Sequence, residues 1–304
     1  MYEVDFSKPI HIHFIGIGGI SMSGLAEILL KENFTISGSD AKESDLTRHL
    51  TSLGAQVFYG QKAENIIPGI DLVVYTAAIH PDNPEFAAAK AAGIPMLTRA
   101  ELLGQIMRNY NTPIAVSGTH GKTTTTSMLS HILMAADCDP TISVGGILPS
   151  IGGNIRVGHS ETFLTEACEY TNSFLSFFPK IGIILNMDAD HLDFFKDIDD
   201  IRHSFREFAR LLPADGMLII NADTPKYDYV TEGLGCKIVT YALENQAVAD
   251  YTAANITYDE FDHPSFDCIC RGELRGVKSR NPLHADGSGT SQRFQRPGCH
   301  CTGR

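Results

Sequence analysis

Ser117-Gly118-Thr119-His120-Gly121-Lys122-Thr123-Thr124-Thr125-Thr126 is the stretch that decides the fold. The apolar run Pro113-Ile114-Ala115-Val116 precedes it, and an amphipathic segment with Met128, Leu129, Ile132 and Leu133 follows. That order predicts a strand, a glycine loop and a helix. In such a loop, backbone N–H groups and the helix N-terminus face a phosphate. Gly118, Thr119, His120, Gly121, Lys122, Thr123 and Thr124 are therefore the candidate nucleotide-binding residues. Lys122 is expected to bring a mobile positive charge to the β- and γ-phosphates of a nucleotide, and the Thr123 hydroxyl can sit on Mg²⁺. The loop is shorter than the usual GxxxxGK[ST], so it is a variant phosphate loop.

Before the loop, short apolar runs alternate with helical patterns. Ile10–Ile15 reads as a strand, and Gly16-Ile17-Gly18-Gly19 turns it into a helix carrying Met22, Leu25, Ile28 and Leu29. Further strands are expected at 34–38, 55–58, 72–75 and 96–97, with helices at 84–92 and 99–110. This alternation implies a parallel sheet. Gly16, Gly18 and Gly19 then face a diphosphate-containing ligand, and Asp40, at the end of the next strand, stands where a ribose-binding carboxylate sits. The third fingerprint position is Ser21 rather than glycine, which argues against NAD. Asn111-Thr112-Pro113 is expected to be the turn between domains 1–108 and 109–275.

After the loop, strands are expected at 141–144, 162–165, 181–185, 217–220, 237–240 and 265–269, with a helix at 198–212. Glu166 ends one of these strands, and strand C-termini in an α/β sheet face the ligand crevice. It is the candidate Mg²⁺ carboxylate opposite Thr123, with Glu169 as a weaker second. His191 lies among Asp188, Asp190 and Asp193 after the apolar run 181–185, again at a strand end, and is a candidate either to hold a metal or to stay cationic beside phosphate. Lys122, Glu166 and His191 form the expected catalytic set. Cys268-Ile269-Cys270 and Cys299-His300-Cys301 have CxC spacing, which does not suit zinc.

A length of 304 residues suits two domains. The formal charge of −12 argues against a nucleic-acid or anionic-membrane surface. No window reaches the apolar length of a membrane span, and the acidic first fifteen residues lack a signal-peptide pattern. With seven scattered cysteines, the expected setting is the reducing cytoplasm.

Taken together, these residues resemble the Mur ligases, the ATP-dependent amino-acid ligases of peptidoglycan synthesis. The resemblance is carried by His13-Phe14-Ile15-Gly16-Ile17-Gly18-Gly19, Met22-Ser23-Gly24, Gly38-Ser39-Asp40, Thr98-Arg99-Ala100-Glu101-Leu102, the loop Gly118–Thr124 and Asp188-Ala189-Asp190-His191-Leu192-Asp193. It runs from about residue 9 to about 274. It implies a Rossmann-like UDP-sugar domain, a P-loop α/β ATP-binding domain and a further C-terminal ligase domain. The implied reaction phosphorylates the carboxylate of UDP-N-acetylmuramate with ATP, and the amine of L-alanine then attacks the acyl phosphate. Gly16, Gly18, Gly19 and Asp40 would hold the UDP part; Thr123, Glu166 and His191 would hold Mg²⁺. A related ligase adding another amino acid or a peptide, or a non-catalytic UDP-sugar and ATP-binding remnant, is the alternative.

After about residue 275 the resemblance stops, and residues 276–304 lack apolar periodicity, which reads as a disordered tail. Back-translated and read one base later, Ser288–Gly303 admits Pro-Gly-Arg-His-Asn-Val-Phe-Asn-Ala-Leu-Ala-Ala-Ile-Ala-Leu-Ala. That string fits the family motif Pro-Gly-x-His-Asn-x-x-Asn-Ala-Leu-Ala-Ala. The sequence thus leads to the expectation of a frameshift just after Leu274, an incomplete ATP domain, an absent C-terminal domain and an inactive chain.

Overall fold

The computed structural model describes residues 2–270, apart from 77, 262 and 263. The expectations for residues 271–304, the aberrant tail and the Cys299–Cys301 pair among them, lie outside the described residues.

The first unit alternates strand and helix: β1 (His11–Ile15), α1 (Ile20–Lys31), β2 (Thr35–Asp40), α2 (Asp45–Ser52), β3 (Gln56–Tyr59), β4 (Leu72–Tyr75), α3 (Pro84–Ala91), β5 (Met96–Thr98) and α4 (Arg99–Met107). Its sheet has the order β3-β2-β1-β4-β5, and every pairing is parallel. The order reverses at β1, so the glycine turn after β1 opens at the switch point where α/β sheets take ligands. Ile12 and Phe14 face α1 through Leu25, Ile28 and Leu29, all buried. α4 starts on a capping box in which Thr98 and Glu101 exchange side-chain and backbone bonds.

The second unit comprises β6 (Thr112–Ser117), α5 (Lys122–Ala135), β7 (Thr141–Leu148), β8 (Gly153–Arg156), β9 (Thr162–Ala167), β10 (Ile181–Ile184), α6 (Ile198–Arg210), β11 (Met217–Asn221), α7 (Tyr227–Thr231), β12 (Lys237–Ala242), β13 (Tyr251–Tyr258) and β14 (Pro264–Cys270). The nine strands run in the order β14-β13-β12-β11-β10-β6-β9-β7-β8. Seven of them are parallel, but β8 and β14 pair antiparallel at the two edges. This departs from a purely parallel sheet because β7–β8 and β13–β14 are each separated by too few residues for the crossover that parallel neighbours need. The expected turn at Asn111–Pro113 also differs, since β6 begins at Thr112. Pro113 needs no N–H there, and its carbonyl accepts the Lys180 N–H at 2.9 Å.

Among the described residues, the two units pack on each other on the side of α4 and on the side of α1. α4 lies on the 3₁₀ turn Tyr170–Ser176 so closely that a Cβ on Gly104 would stand 1.9 Å from the Ser176 carbonyl oxygen. On the other side, Ile155 of β8 seats against Gly24 of α1, and Asn154 donates to the Ile20 carbonyl at 2.8 Å. One continuous apolar core runs from Ile12 and Leu25 through Leu102 and Ile106 to Phe174, Phe205 and Phe208. Among the described residues, no helix is long and apolar enough to cross a membrane.

Candidate nucleotide and metal site

β6 lies between β9 and β10, with Ser117 in register with Ala167 and Ile184. The segments leaving the C-terminal ends of these three strands therefore meet at one crevice. The first carries Gly118–Lys122, the second Glu169, three residues after Glu166 near the end of β9, and the third Asn186 to His191. Gly118 takes φ +146, with Leu185 Cβ 2.9 Å from where its own Cβ would be, so only glycine fits. After Lys122, α5 carries four threonines in succession, poor helix formers. Leu129 and Leu133 hold it on the sheet against Ile114, Val116 and Leu164.

The loop is braced from the β10 side. The Thr119 N–H donates to the Asn186 carbonyl at 3.2 Å and the His120 N–H to Asn186 Oδ1 at 2.8 Å. Asn186 Nδ2 returns a bond to the His120 carbonyl at 3.0 Å, and the Asp188 N–H donates to Thr119 Oγ1 at 2.9 Å. The N–H groups of Thr119 and His120 are thus turned inward rather than toward a phosphate. Those of Lys122, Thr123 and Thr124, the first turn of α5, precede its first intrahelical bond, Thr125 N–H to the Gly121 carbonyl. N–H groups so placed at a helix N-terminus are suited to an anion. The His120 side chain is exposed, 4.0 Å from Asp188 Oδ2.

Two pairs of side chains complete the crevice. Thr123 Oγ1 donates to Glu166 Oε2 at 3.0 Å, while Glu166 Oε1 accepts the Gly145 N–H at 2.6 Å. Lys122 Nζ donates to Glu169 Oε2 at 2.9 Å, and His191 Nε2 is 3.8 Å from Glu169 Oε1. His191, at φ +51, packs against Tyr170 with the rings tilted and their centroids 4.6 Å apart. The expected set of Thr123, Glu166 and His191 is therefore divided: the first two are bonded, and His191 stands with Glu169. A hydroxyl and a carboxylate are hard oxygen donors, which suits Mg²⁺ with its remaining positions taken by water and phosphate. Among the described residues, no three His, Cys, Asp or Glu side chains cluster as a metal cage.

In the first unit, Gly16 and Ile17 N–H both donate to the Ser39 carbonyl at 2.9 Å, and Gly19 N–H to the Gly16 carbonyl at 3.2 Å. Asp40 Oδ2 accepts the Gly18 N–H at 2.8 Å. Buried Glu85 accepts from the Ser39 hydroxyl and so fixes this corner. Here Asp40 shapes the glycine turn, and the N–H groups of Ile20, Ser21 and Met22 precede the first intrahelical bond of α1, Ser23 N–H to the Gly19 carbonyl.

Two family models cover this architecture. One described as the Mur ligase family, catalytic domain, matches residues 11–111, and one described as the Mur ligase middle domain matches residues 116–279. The chain belongs to the Mur ligase family. Among Mur ligases it is 67% identical to the UDP-N-acetylmuramate–L-alanine ligase of Agathobacter rectalis over 272 residues, covering 90% of this chain. It is 62% identical to that of Lachnospira eligens over 273 residues, again covering 90%. The chain spans 59% of the length of each of these two relatives. In fold it is similar to the UDP-N-acetylmuramate:L-alanyl-γ-D-glutamyl-meso-diaminopimelate ligase of Neisseria meningitides, with a TM-score of 0.76 and 26% identity, covering 86% of this chain and 85% of that one. It is also similar to the UDP-N-acetylmuramate–alanine ligase of Thermotoga maritima, with a TM-score of 0.73 and 28% identity, covering 86% and 58% respectively.

The sequence pattern did not single out Asn186 or the Gly145 N–H as parts of this Mur ligase crevice. Asn186 follows an apolar strand directly, the same signal that marks Glu166. Gly145 belongs to the crevice only because β7 is the neighbour of β9.

Proposed function

We propose that this chain carries the two nucleotide sites of an ATP-dependent ligase that joins L-alanine to the carboxylate of UDP-N-acetylmuramate, in the cytoplasm. In this reading residues 1–108 hold the UDP-sugar at the turn Gly16, Gly18, Gly19 and Asp40, and residues 109–275 hold ATP. The observation that carries it is the convergence, at the β6 switch point, of the α5 first turn, the Lys122 ammonium and the Thr123–Glu166 pair. Such groups stabilise a transferring phosphoryl group by position and charge. Thr123 and Glu166 would hold Mg²⁺, which neutralises phosphate charge when bound. Glu166 is kept in place by Gly145, and His191 supports the crevice from the Glu169 side. L-alanine as the amine rests on the identity to the alanine ligases.

Calorimetric titration of the chain with ATP and Mg²⁺ tests the assignment. Lys122→Ala removes a charge-assisted contact, so ATP affinity should fall about tenfold or more while UDP-N-acetylmuramate affinity is unchanged. A folded Lys122→Ala chain with parental ATP affinity would refute the nucleotide site.

A further inference from the structure

We propose that Glu169 is the anchor of Lys122, a pivot on which the ammonium turns from loop carbonyls to the phosphates of a nucleoside triphosphate. The inference rests on the nucleotide reading above and adds a positioning residue to it. An ammonium has three N–H donors. In Lys122 each has an acceptor: the Gly118 carbonyl at 2.6 Å, the Thr119 carbonyl at 3.2 Å and Glu169 Oε2 at 2.9 Å. Contact with a phosphate oxygen requires at least one of these bonds to open.

The partners are not equivalent. The Glu169 side chain is 2% exposed, and its other oxygen, Oε1, has no hydrogen-bond partner. Withdrawing Lys122 would leave a buried carboxylate with no compensating cation bonded to it, the most costly way to break such a pair. The Gly118 and Thr119 carbonyls are neutral acceptors on a loop next to the α5 N-terminus, and losing one bond to them costs far less. The carbonyl bonds are therefore the ones that open, while the bond to Glu169 stays. Held at one corner by Glu169, the ammonium keeps two protons for phosphate oxygens without paying the entropy of a free lysine side chain. Oε1 stands 3.8 Å from His191 Nε2, so the carboxylate lies between Lys122 and His191.

A double-mutant cycle on ATP·Mg²⁺ affinity, with circular dichroism as the folding control, tests the pivot. Glu169→Gln keeps the shape and removes the charge; it should weaken binding about tenfold. Added to Lys122→Ala, it should change affinity by less than about twofold, because its effect runs through the lysine. A role in the fold alone would give the same loss in both backgrounds. Parental or tighter affinity in Glu169→Gln, or equal losses in both backgrounds, overturns the proposal. A parent chain that does not bind ATP defeats the nucleotide reading itself and the pivot with it. If Glu169→Gln does not fold, the unaltered chain decides, crystallised with a non-hydrolysable ATP analogue and Mg²⁺. Nζ should remain bonded to Glu169 and have left at least one of the two carbonyls. An ammonium on phosphate but detached from Glu169 overturns the pivot.

Discussion

Thr123 and Glu166 stand 43 positions apart in the chain, yet a hydroxyl–carboxylate bond of 3.0 Å joins them. If this pair holds Mg²⁺, Glu166→Gln should abolish the gain in ATP affinity that Mg²⁺ gives, leaving metal-free affinity close to the parent's. Titrations with Mg²⁺ and with a chelator measure this, and a preserved Mg²⁺ gain in the variant would contradict it. The sequence places Lys122 and Thr123 just beyond an apolar strand and its glycine loop, and Glu166 at the end of another apolar run, and the fold sets all three at one crevice. The division of the expected metal set was not legible. Whether His191 meets Glu166 or Glu169 depends on the path of the 3₁₀ turn Tyr170–Ser176 and on Tyr170, which no spacing encodes.

At the scale of elements, the helix-on-turn contact of α4 sets how the two sheets are joined. Gly104→Ala places a methyl 1.9 Å from the Ser176 oxygen, so α4 must shift away. A loss of about 1–3 kcal/mol in urea unfolding is expected, with the Gly118–Thr124 loop unaffected; a stability equal to the parent's would show that the packing yields freely. A second element-scale test concerns Asp139, just before β7. The Arg156 guanidinium bonded to it, together with the His159 N–H at 2.9 Å, holds its carboxyl down at about 2 from an ordinary 3.8. A lowered carboxyl contributes stability that is complete above 3.8 and disappears as the pH falls through about 2. Arg156→Ala should raise the midpoint toward 3.8 in a carboxyl NMR titration, and an unmoved midpoint would remove Arg156 as the cause. The apolar runs of β1, β4, β10 and β11 make those strands readable in the sequence alone. α2 and β8 are not readable there, because α2 buries only Thr47 and Leu50 of eight residues. β8 is a short polar strand that exists by pairing with β7.

For the whole molecule, two sheets with their switch points at β1 and β6 share one apolar core, and Asn154 and Ile155 tie the first glycine-turn helix to the hairpin that carries Gly145. This arrangement predicts two separate nucleotide sites in one chain. The most direct measurement is sequential calorimetry on a single sample: UDP-N-acetylmuramate first, ATP·Mg²⁺ second, with NAD as a control. The expected result is one site for each of the first two ligands, neither displacing the other, and no heat from NAD. Displacement of one by the other, or binding of NAD in place of the UDP-sugar, would contradict the two-site account.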